Sequence, residues 1–365
     1  MAINLAEKYS NQIDEVMRAG ALSTPGVNNE VDFVGAQTVK IYSMGTAPLN
    51  DYDPNGGMQR YGTPTELQDT IQEMTMTQQK SFTFTIDKTY AVDSPEGVRN
   101  AGKALQRQLD QVVIPAIDRY RFAKLAENAK TKTYTALTKS NAYEAFLKAN
   151  TAITDAEVPE TGRVAFCSSA FIELLKLDAN YTKAGDLAQD RIIFKGMVGE
   201  CDGVPILRIP GHRLPAGASF IITHPIAAPA PVKIRDYKIH QDPPGLAGNL
   251  VEGLIYHDCF VFENKRVCIA VNYGTLDTLE IEMTATTSGK GKVTVSGATS
   301  GGTLVYKTGA STSAPALGAD LSSWDELPAG GEVSATASHK IVVALKNSDG
   351  KAVASSAAET VTVGG

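Results

Sequence analysis

His257, Asp258 and Cys259 stand in succession, and in an extended strand the alternation sends His257 and Cys259 to the same face. An imidazole beside a thiol is the pair from which a cysteine nucleophile is made, the ring drawing the proton from sulfur. Nothing else converges on it. The other histidines, His212, His224, His240 and His339, form no HExxH, and the chain has no GxSxG. We read the pair as a buried cysteine beside a hydrogen-bonded histidine. Asp51 and Asp53 in DYDPNGG imitate the start of a calcium loop, but the closing Glu is missing. SGKGKVT at 288–294 lacks the spacing of a phosphate loop. Cys167, Cys201, Cys259 and Cys268 make no CxxC and have no histidine at ligand spacing, so they read as reduced core residues. The chemistry-bearing residues therefore point away from an enzyme, and no cofactor or metal is expected.

Composition narrows the field. At 365 residues the chain holds two or three domains, and 43% hydrophobic with 20% charged residues is the balance of a folded protein. A net charge of −6 argues against a protein whose main work is gripping nucleic acid. Arg119, Arg121 and Lys124 are diluted by Asp118 and Glu127, which reads as a solvated or ion-paired face with at most a weak, nonspecific DNA contact. No apolar run is long enough to span a bilayer, so no membrane partner is expected, and MAINLAEKYS lacks a secretory signature.

Periodicity supplies the elements. Leu5, Tyr9, Ile13, Val16 and Met17 recur at helical spacing over 3–18. Residues 31–48 alternate through Phe33, Val39 and Ile41, and 50–64 is loop chemistry rich in Asp, Asn, Gly and Pro, read as a flexible tip. In QEMTMTQQKSFTFTIDK (72–88), Met74, Met76, Phe82, Phe84 and Ile86 share one parity, with Gln78 and Lys80 interrupting it. That is one long strand or two joined near 78–80, an arm too thin to make its own core. A long helix follows, capped at Asp93 with Pro95 and Glu96, its stripe running from Val98 and Leu105 to Tyr120 and Ala123, with Pro115 expected to bend it. Arg121 falls on its wet or polar-facing side. Residues 141–150 read as a short helix. RVAFCS is a buried strand, and Ser169 is placed as the cap of AFIELLKLD. The stretches 189–198 and 203–209 read as strand, turn, strand, and SFIITHP as another strand. GLIYHDCFVFENKRVCIAVN (253–272) holds two strong strands around ENKR. Beyond Tyr273 the chain turns rich in Thr, Ser, Gly and Ala, with short strands, a turn at NSDG and a lone Trp324 as core anchor. This predicts a separate immunoglobulin-like sandwich without a disulfide, its boundary near 274–280.

Four blocks, RYGTPTELQDTIQEMTMTQQKSFTFTIDK (60–88), VRNAGKALQRQLDQVVIPAIDRYRFAKLA (98–126), FKGMVGECDGVPILRIP (194–210) and GLIYHDCFVFENKRVCIAVN (253–272), occur in an order that resembles tailed-bacteriophage major capsid proteins of the HK97 fold. The resemblance covers roughly 1–274. It implies an α+β fold with an N-terminal arm (1–34), an extended β-loop (35–90), a peripheral-domain spine helix (91–139), a mixed α/β axial domain (140–252) and closing strands (253–275). The all-β sandwich occupies 276–365. It further implies hexamers and pentamers of a homo-oligomeric icosahedral shell around double-stranded DNA. A portal and a separate scaffolding protein would be its partners, with assembly in the host cytoplasm and residence in the virion. On this reading Met74, Met76, Phe82, Phe84, Ile86, Leu5, Tyr9 and Ile13 lie against another copy of the chain. Deleting 31–88 should leave a folded monomer that cannot close shells, and removing 276–365 should leave assembly intact. A tail-tube or head-decoration protein is the alternative, disfavoured by the long helix.

Overall fold

The computed structural model describes residues 21–28, 38–55, 60–64, 66–88, 101–178, 197–286, 289–297 and 300–363. The expected helix with Leu5, Tyr9 and Ile13 and the cap at Asp93 lie outside the described residues.

The alternating run is two strands. β1 (Thr38–Met44) and β2 (Asp69–Thr75) form an antiparallel ribbon of their own, and the chain breaks at Met76–Thr77 before entering β3 (Gln78–Asp87). The spine comprises α1 (Ala101–Gln108), a π turn (Leu109–Val113) and α2 (Ile114–Asn128). Then come β4 (Thr131–Thr133), α3 (Ala142–Asp155), β5 (Val164–Ser168), α4 (Ser169–Leu177), β6 (Met197–Cys201), β7 (Val204–Ile209) and β8 (Ala218–Thr223). β9 (Val232–Gln241), β10 (Gly248–His257) and β11 (Ile269–Tyr273) complete the body.

Two further sheets hold the body together. β5 and β8 are buried at every residue, as central strands covered on both faces must be, and they lie inside a six-stranded sheet ordered β4-β11-β8-β5-β7-β6. Phe146 of α3 and Phe171 of α4 meet Phe220 of β8 in its core. The cap of α4 is Ser168, one residue before the expected Ser169, because Ser168 is still extended and its Oγ accepts the N–H of Phe171 at 3.1 Å. The β6–β7 turn is Asp202–Gly203, both at positive φ, the pairing that a two-residue hairpin favours. The other sheet is β3-β10-β9. β10 and β11 flank ENKR yet belong to different sheets, so the 3₁₀ segment Glu263–Cys268 carries the chain from one to the other. β9 also sits in the small sheet rather than with the rest of 140–252.

One helix serves both cores. Leu105, Leu109, Val113 and Ile117 pack with Val251, Ile255 and Tyr237 of the small sheet. Phe122, Leu125 and Ala126 enter the core of the large one. Between them a wider π turn, Leu109–Val113, precedes Pro115, which lacks an N–H. Two residues on the polar side of the helix, Asp118 and Arg121, are buried against polar groups, so of the two readings of Arg121's side, wet or polar-facing, the second applies here. Asp118 accepts the N–H groups of Leu22 (3.1 Å) and Ser23 (3.3 Å), the Ser23 hydroxyl (2.7 Å) and the Arg213 guanidinium (2.8 Å). Arg121 donates to Ser23 Oγ at 3.2 Å and to the carbonyl of Ala230 at 3.4 Å. Residues 21–28 are thus pinned over the helix. Gly26 lies against Phe166 so closely that a Cβ there would collide with the ring.

The C-terminal strands are β12 (Asp277–Ala285), β13 (Lys290–Gly297), β14 (Thr303–Gly309), β15 (Asp325–Glu326), β16 (Glu332–Ser334), β17 (Lys340–Lys346), β18 (Ala352–Ser356) and β19 (Glu359–Thr360). β12 pairs antiparallel with β13 and parallel with β18, β13 continues to β16, and β18 continues through β17 to β14 and β15. Leu279, Val293 and Val333 of one half meet Ile341, Val343 and Leu345 of the other in one core, and Trp324 packs half-buried on a smaller cluster with Val305 and Leu321.

This part of the chain is docked rather than separate, because its main core is continuous with that of the six-stranded body. Tyr134 and Tyr273 stack at 5.2 Å, and Asn347 Nδ2 donates to the Tyr134 hydroxyl at 2.6 Å. Lys132, almost fully covered, donates to Asp349 (2.8 Å), Ser348 (2.9 Å) and the Glu127 carbonyl (2.9 Å). Gly217 N–H donates to Asp277 at 2.8 Å.

Candidate assembly surface

The stripe expected against a second copy is covered within the chain. Met74 and Met76 are 2% and 1% exposed, packed with Tyr256 and with Val39, Ile41, Phe260 and Phe262 around them. Phe82, Phe84 and Ile86 are half-buried on the core formed by the spine and β10. The cover is β10, paired with the whole of β3, and Gly253 leaves room for the Phe82 ring that any Cβ would strike. Sequence distance hid this cover, since β10 follows β3 by more than 150 residues. Leu5, Tyr9 and Ile13 lie outside the described residues.

The opposite face of the ribbon is the one left open. Tyr42 pairs with Ile71 across the strands at 67% and 54% exposure, with Met44 beside them. Lys40 and Glu73 form a cross-strand ion pair at 2.6 Å next to this patch. Toward the tip, Leu49, Tyr52, Tyr61 and Leu67 are also exposed. Among the described residues of the tip, Tyr52 and Tyr61 meet edge to face at 5.1 Å, Asp53 N–H bonds the Arg60 carbonyl, and Asn55 N–H bonds Asp53 Oδ1. These apolar residues were in plain view in the sequence. Tyr42 and Met44 share the parity of Thr38 and Lys40, and Ile71 that of Glu73, so the ribbon is apolar on both faces.

At the base of the ribbon, Asp258 is 2% exposed and takes four hydrogen bonds. Oδ1 accepts Tyr120 OH (2.6 Å) and Cys259 N–H (2.8 Å), and Oδ2 accepts Thr77 N–H (2.7 Å) and Thr77 Oγ1 (3.2 Å). Burial raises the Tyr120 pKa, and the Asp258 bond and charge add to this, so the phenol stays protonated as the donor. Cys259 is buried and its thiol is pushed up to about 12, chiefly by desolvation, so a thiolate at neutral pH is disfavoured. His257 meets the Tyr120 ring edge-on at 5.6 Å, but its Nδ1 has no hydrogen-bond partner, unlike the bonded histidine expected. All four cysteines are free and buried. Among the described residues no group of three or more His, Cys, Asp or Glu is placed to hold a metal, and no helix is long and apolar enough to cross a membrane.

His257 gives the fold an acid-sensitive point. Burial first, and then the Arg121 charge, lower its pKa from 6.5 to about 4. Between these values the unfolded chain binds more protons than the folded one, so stability falls as pH drops through the window, by up to about 3 kcal/mol. In thermal melts from pH 7 to 4, His257→Gln is expected to flatten the decline. Parallel curves for the two chains would remove His257 as the cause.

No protein-family model matches the chain, and no curated protein matches it. Solved structures do. A structure from Mycobacterium phage Che8 aligns at 20% identity and a TM-score of 0.54, over 69% of this chain and 90% of that one. The capsid structure of the cyanophage P-SCSP1u aligns at 13% and 0.54, over 68% and 86%. One from Microbacterium phage Oxtober96 aligns at 12% and 0.53, over 69% and 90%. At these identities the likeness speaks for the fold alone: the chain shares a fold with the cyanophage capsid structure and with the structures from the two other phages.

Proposed function

We propose that this chain is the major capsid protein of a tailed phage, built on the HK97 plan and assembling as hexamers and pentamers of an icosahedral shell that encloses double-stranded DNA. The observation that carries the reading is the ribbon: a two-stranded arm apolar on both faces, only one of which its own chain covers. A monomer gains nothing from the second face, whereas a shell buries it in every copy, and closure multiplies modest contacts. Residues 1–34 would be the N-terminal arm, and a portal and separate scaffolding protein would be the partners, in the host cytoplasm during assembly. Contact with packaged DNA would be weak and nonspecific, in keeping with the net charge of −6.

The C-terminal domain fits an immunoglobulin-like sandwich displayed on the shell. Two observations support this: β12 joins the two arms of one eight-stranded sheet, β13-β16 and β18-β17-β14-β15, its pairing with β18 being parallel, and apolar residues of both arms meet in one core.

Negative-stain microscopy of the purified full-length chain, with light scattering on the same sample, tests the proposal. Closed shells, or rings of five and six, are expected. Stacked tubes would assign the chain to a tail, and a monomer at every salt and protein concentration, with and without a scaffolding protein, would overturn the reading.

A further inference from the structure

The ribbon is joined to the body in an unusual way. β2 and β3 are consecutive, yet they belong to different sheets, with only Met76 and Thr77 between them. At this joint a side chain takes the place of a strand partner: Thr77 N–H goes to the Asp258 carboxylate, and the Met76 carbonyl accepts Tyr256 OH at 3.1 Å. Farther out, the ribbon is held by a clasp of side chains. Gln72 donates to the Val261 carbonyl at 3.0 Å and accepts Glu263 N–H at 3.0 Å, and Asn264 donates to Ser43 Oγ at 2.6 Å. Beneath the clasp lies a gap of about 250 Å³, with Ile41 and Gln72 on the ribbon side and Phe262 and Lys265 on the body side. The apolar contact at the base includes two buried methionines, Met74 and Met76, side chains that repack at little cost.

The two oxygens of Asp258 divide the work. Oδ1 is committed to the body, through Tyr120 and Cys259, and Oδ2 wholly to Thr77. Breaking the Oδ2 bonds removes the joint's tie to Asp258 while the Oδ1 bonds to Tyr120 and Cys259 stay, and what then remains at the joint is the contact of the Thr77 hydroxyl with Tyr120 and the Met76 carbonyl bond to Tyr256. We propose that the ribbon is a strap hinged at Met76–Thr77, with Asp258 as the pin that sets its pitch and the Gln72–Glu263 and Ser43–Asn264 contacts as a clasp that opens when the pin is released. The purpose of the hinge rests on the capsid reading: one subunit must meet neighbours at more than one angle, and a pivoting strap keeps its outer face seated while the angle changes. The mechanics do not rest on it.

Asp258→Asn is the selective lesion. Its oxygen can stay on Tyr120 and Cys259, which turns an N–H₂ toward the Thr77 N–H and places donor against donor. The readout is amide hydrogen exchange on the unassembled full-length chain. Glu263 N–H bonds the clasp and does not touch Asp258, so it reports strap opening at a distance. In Asp258→Asn, exchange at Thr77 and Glu263 is expected to rise at least tenfold while α2 and the six-stranded sheet keep their wild-type rates. Oxidising a Ser43→Cys/Asn264→Cys pair in that background should return Glu263 to its slow rate. If Asp258→Asn does not fold, Thr77→Ala, which removes the hydroxyl's bonds to Asp258, Tyr120 and Gln78 and keeps the Thr77 N–H bond, is read the same way with about a threefold rise. Acceleration spread over the whole chain, or none at Glu263, overturns the hinge. Shell formation, scored separately by microscopy, bears on the capsid reading alone: local acceleration in a chain that never assembles leaves the hinge standing without that purpose.

Discussion

Placing opposite charges at Tyr42 and Ile71, as Tyr42→Glu with Ile71→Lys, is expected to abolish assembly and leave the monomer folded. The two residues face each other on the outer side of the ribbon and are mostly exposed. In the single chain the new pair repeats the Lys40–Glu73 pair next to it, so the change in stability should stay within about 0.5 kcal/mol, as for surface substitutions generally. In a shell the same positions would be buried against a neighbour. Losing a central aromatic and aliphatic contact there costs on the order of 2 kcal/mol per interface, about thirtyfold in association, before the cost of burying charge is added. Every copy carries the lesion, so the effect compounds with each subunit. Light scattering and negative stain, with a thermal melt on the same preparation, check the result. Shells forming at the wild-type concentration would mean that this face is open surface in the particle and that the arm works through some other patch.

A broader deletion would not be clean. Removing 31–88 seemed safe from the sequence, because the whole stretch reads as one arm. β3 is in fact an edge strand of the three-stranded sheet, and Phe82, Phe84 and Ile86 close the core over the spine. Parity identified these strands and their apolar side correctly, but parity has no information about what covers that side. The cover for 72–88 came from β10 and from the helix, and a sequence-local search could only turn to another copy. β9 went unread for a different reason. Its apolar residues begin on even positions, Val232 and Ile234, and continue on odd ones, Tyr237 and Ile239, beside a register shift near its start. A broken alternation does not register as a strand. Asp118 and Arg121 read as solvated, ion-paired or polar-facing, and their partners stayed open because a helical wheel sees only its own helix. They are buried by residues 21–28 and Arg213, which arrive from elsewhere in the chain. The pin at Asp258 was visible only as a neighbour of His257 and Cys259, and its meaning depends on Thr77 and Tyr120, both distant in sequence.

Ending the chain at residue 275 is expected to destabilise the body and make it poorly soluble, against the simple expectation that an appended domain can be removed without loss. Truncation strips cover from Tyr134 and Tyr273 and removes the bonds from Asn347 and Asp349 that satisfy Tyr134 and Lys132. The cost of that cover can be judged from its chemistry. Burial of the stacked phenols is deep enough that the Tyr134 pKa is pushed up to about 12 and that of Tyr273 is raised as well, with desolvation the leading cause in both. Re-exposing two such rings costs about 1.5–3 kcal/mol each, a large share of a typical domain's stability of about 5–15 kcal/mol. Tyr134→Ala in the full-length chain isolates part of this effect, and a loss of about 2–4 kcal/mol in urea unfolding is expected, since the change also removes the bond that Asn347 Nδ2 donates to the phenol. Lys132→Ala should cost less, because Asp349 stays partly in water. The physical content of the prediction is that the two parts share one core, so that the C-terminal domain acts as a cover for β4 and β11 as well as whatever it displays outward. A chain ending at 275 that melts and assembles like the full-length protein would show that the continuous core carries no energetic weight, and the domain would then be a detachable ornament.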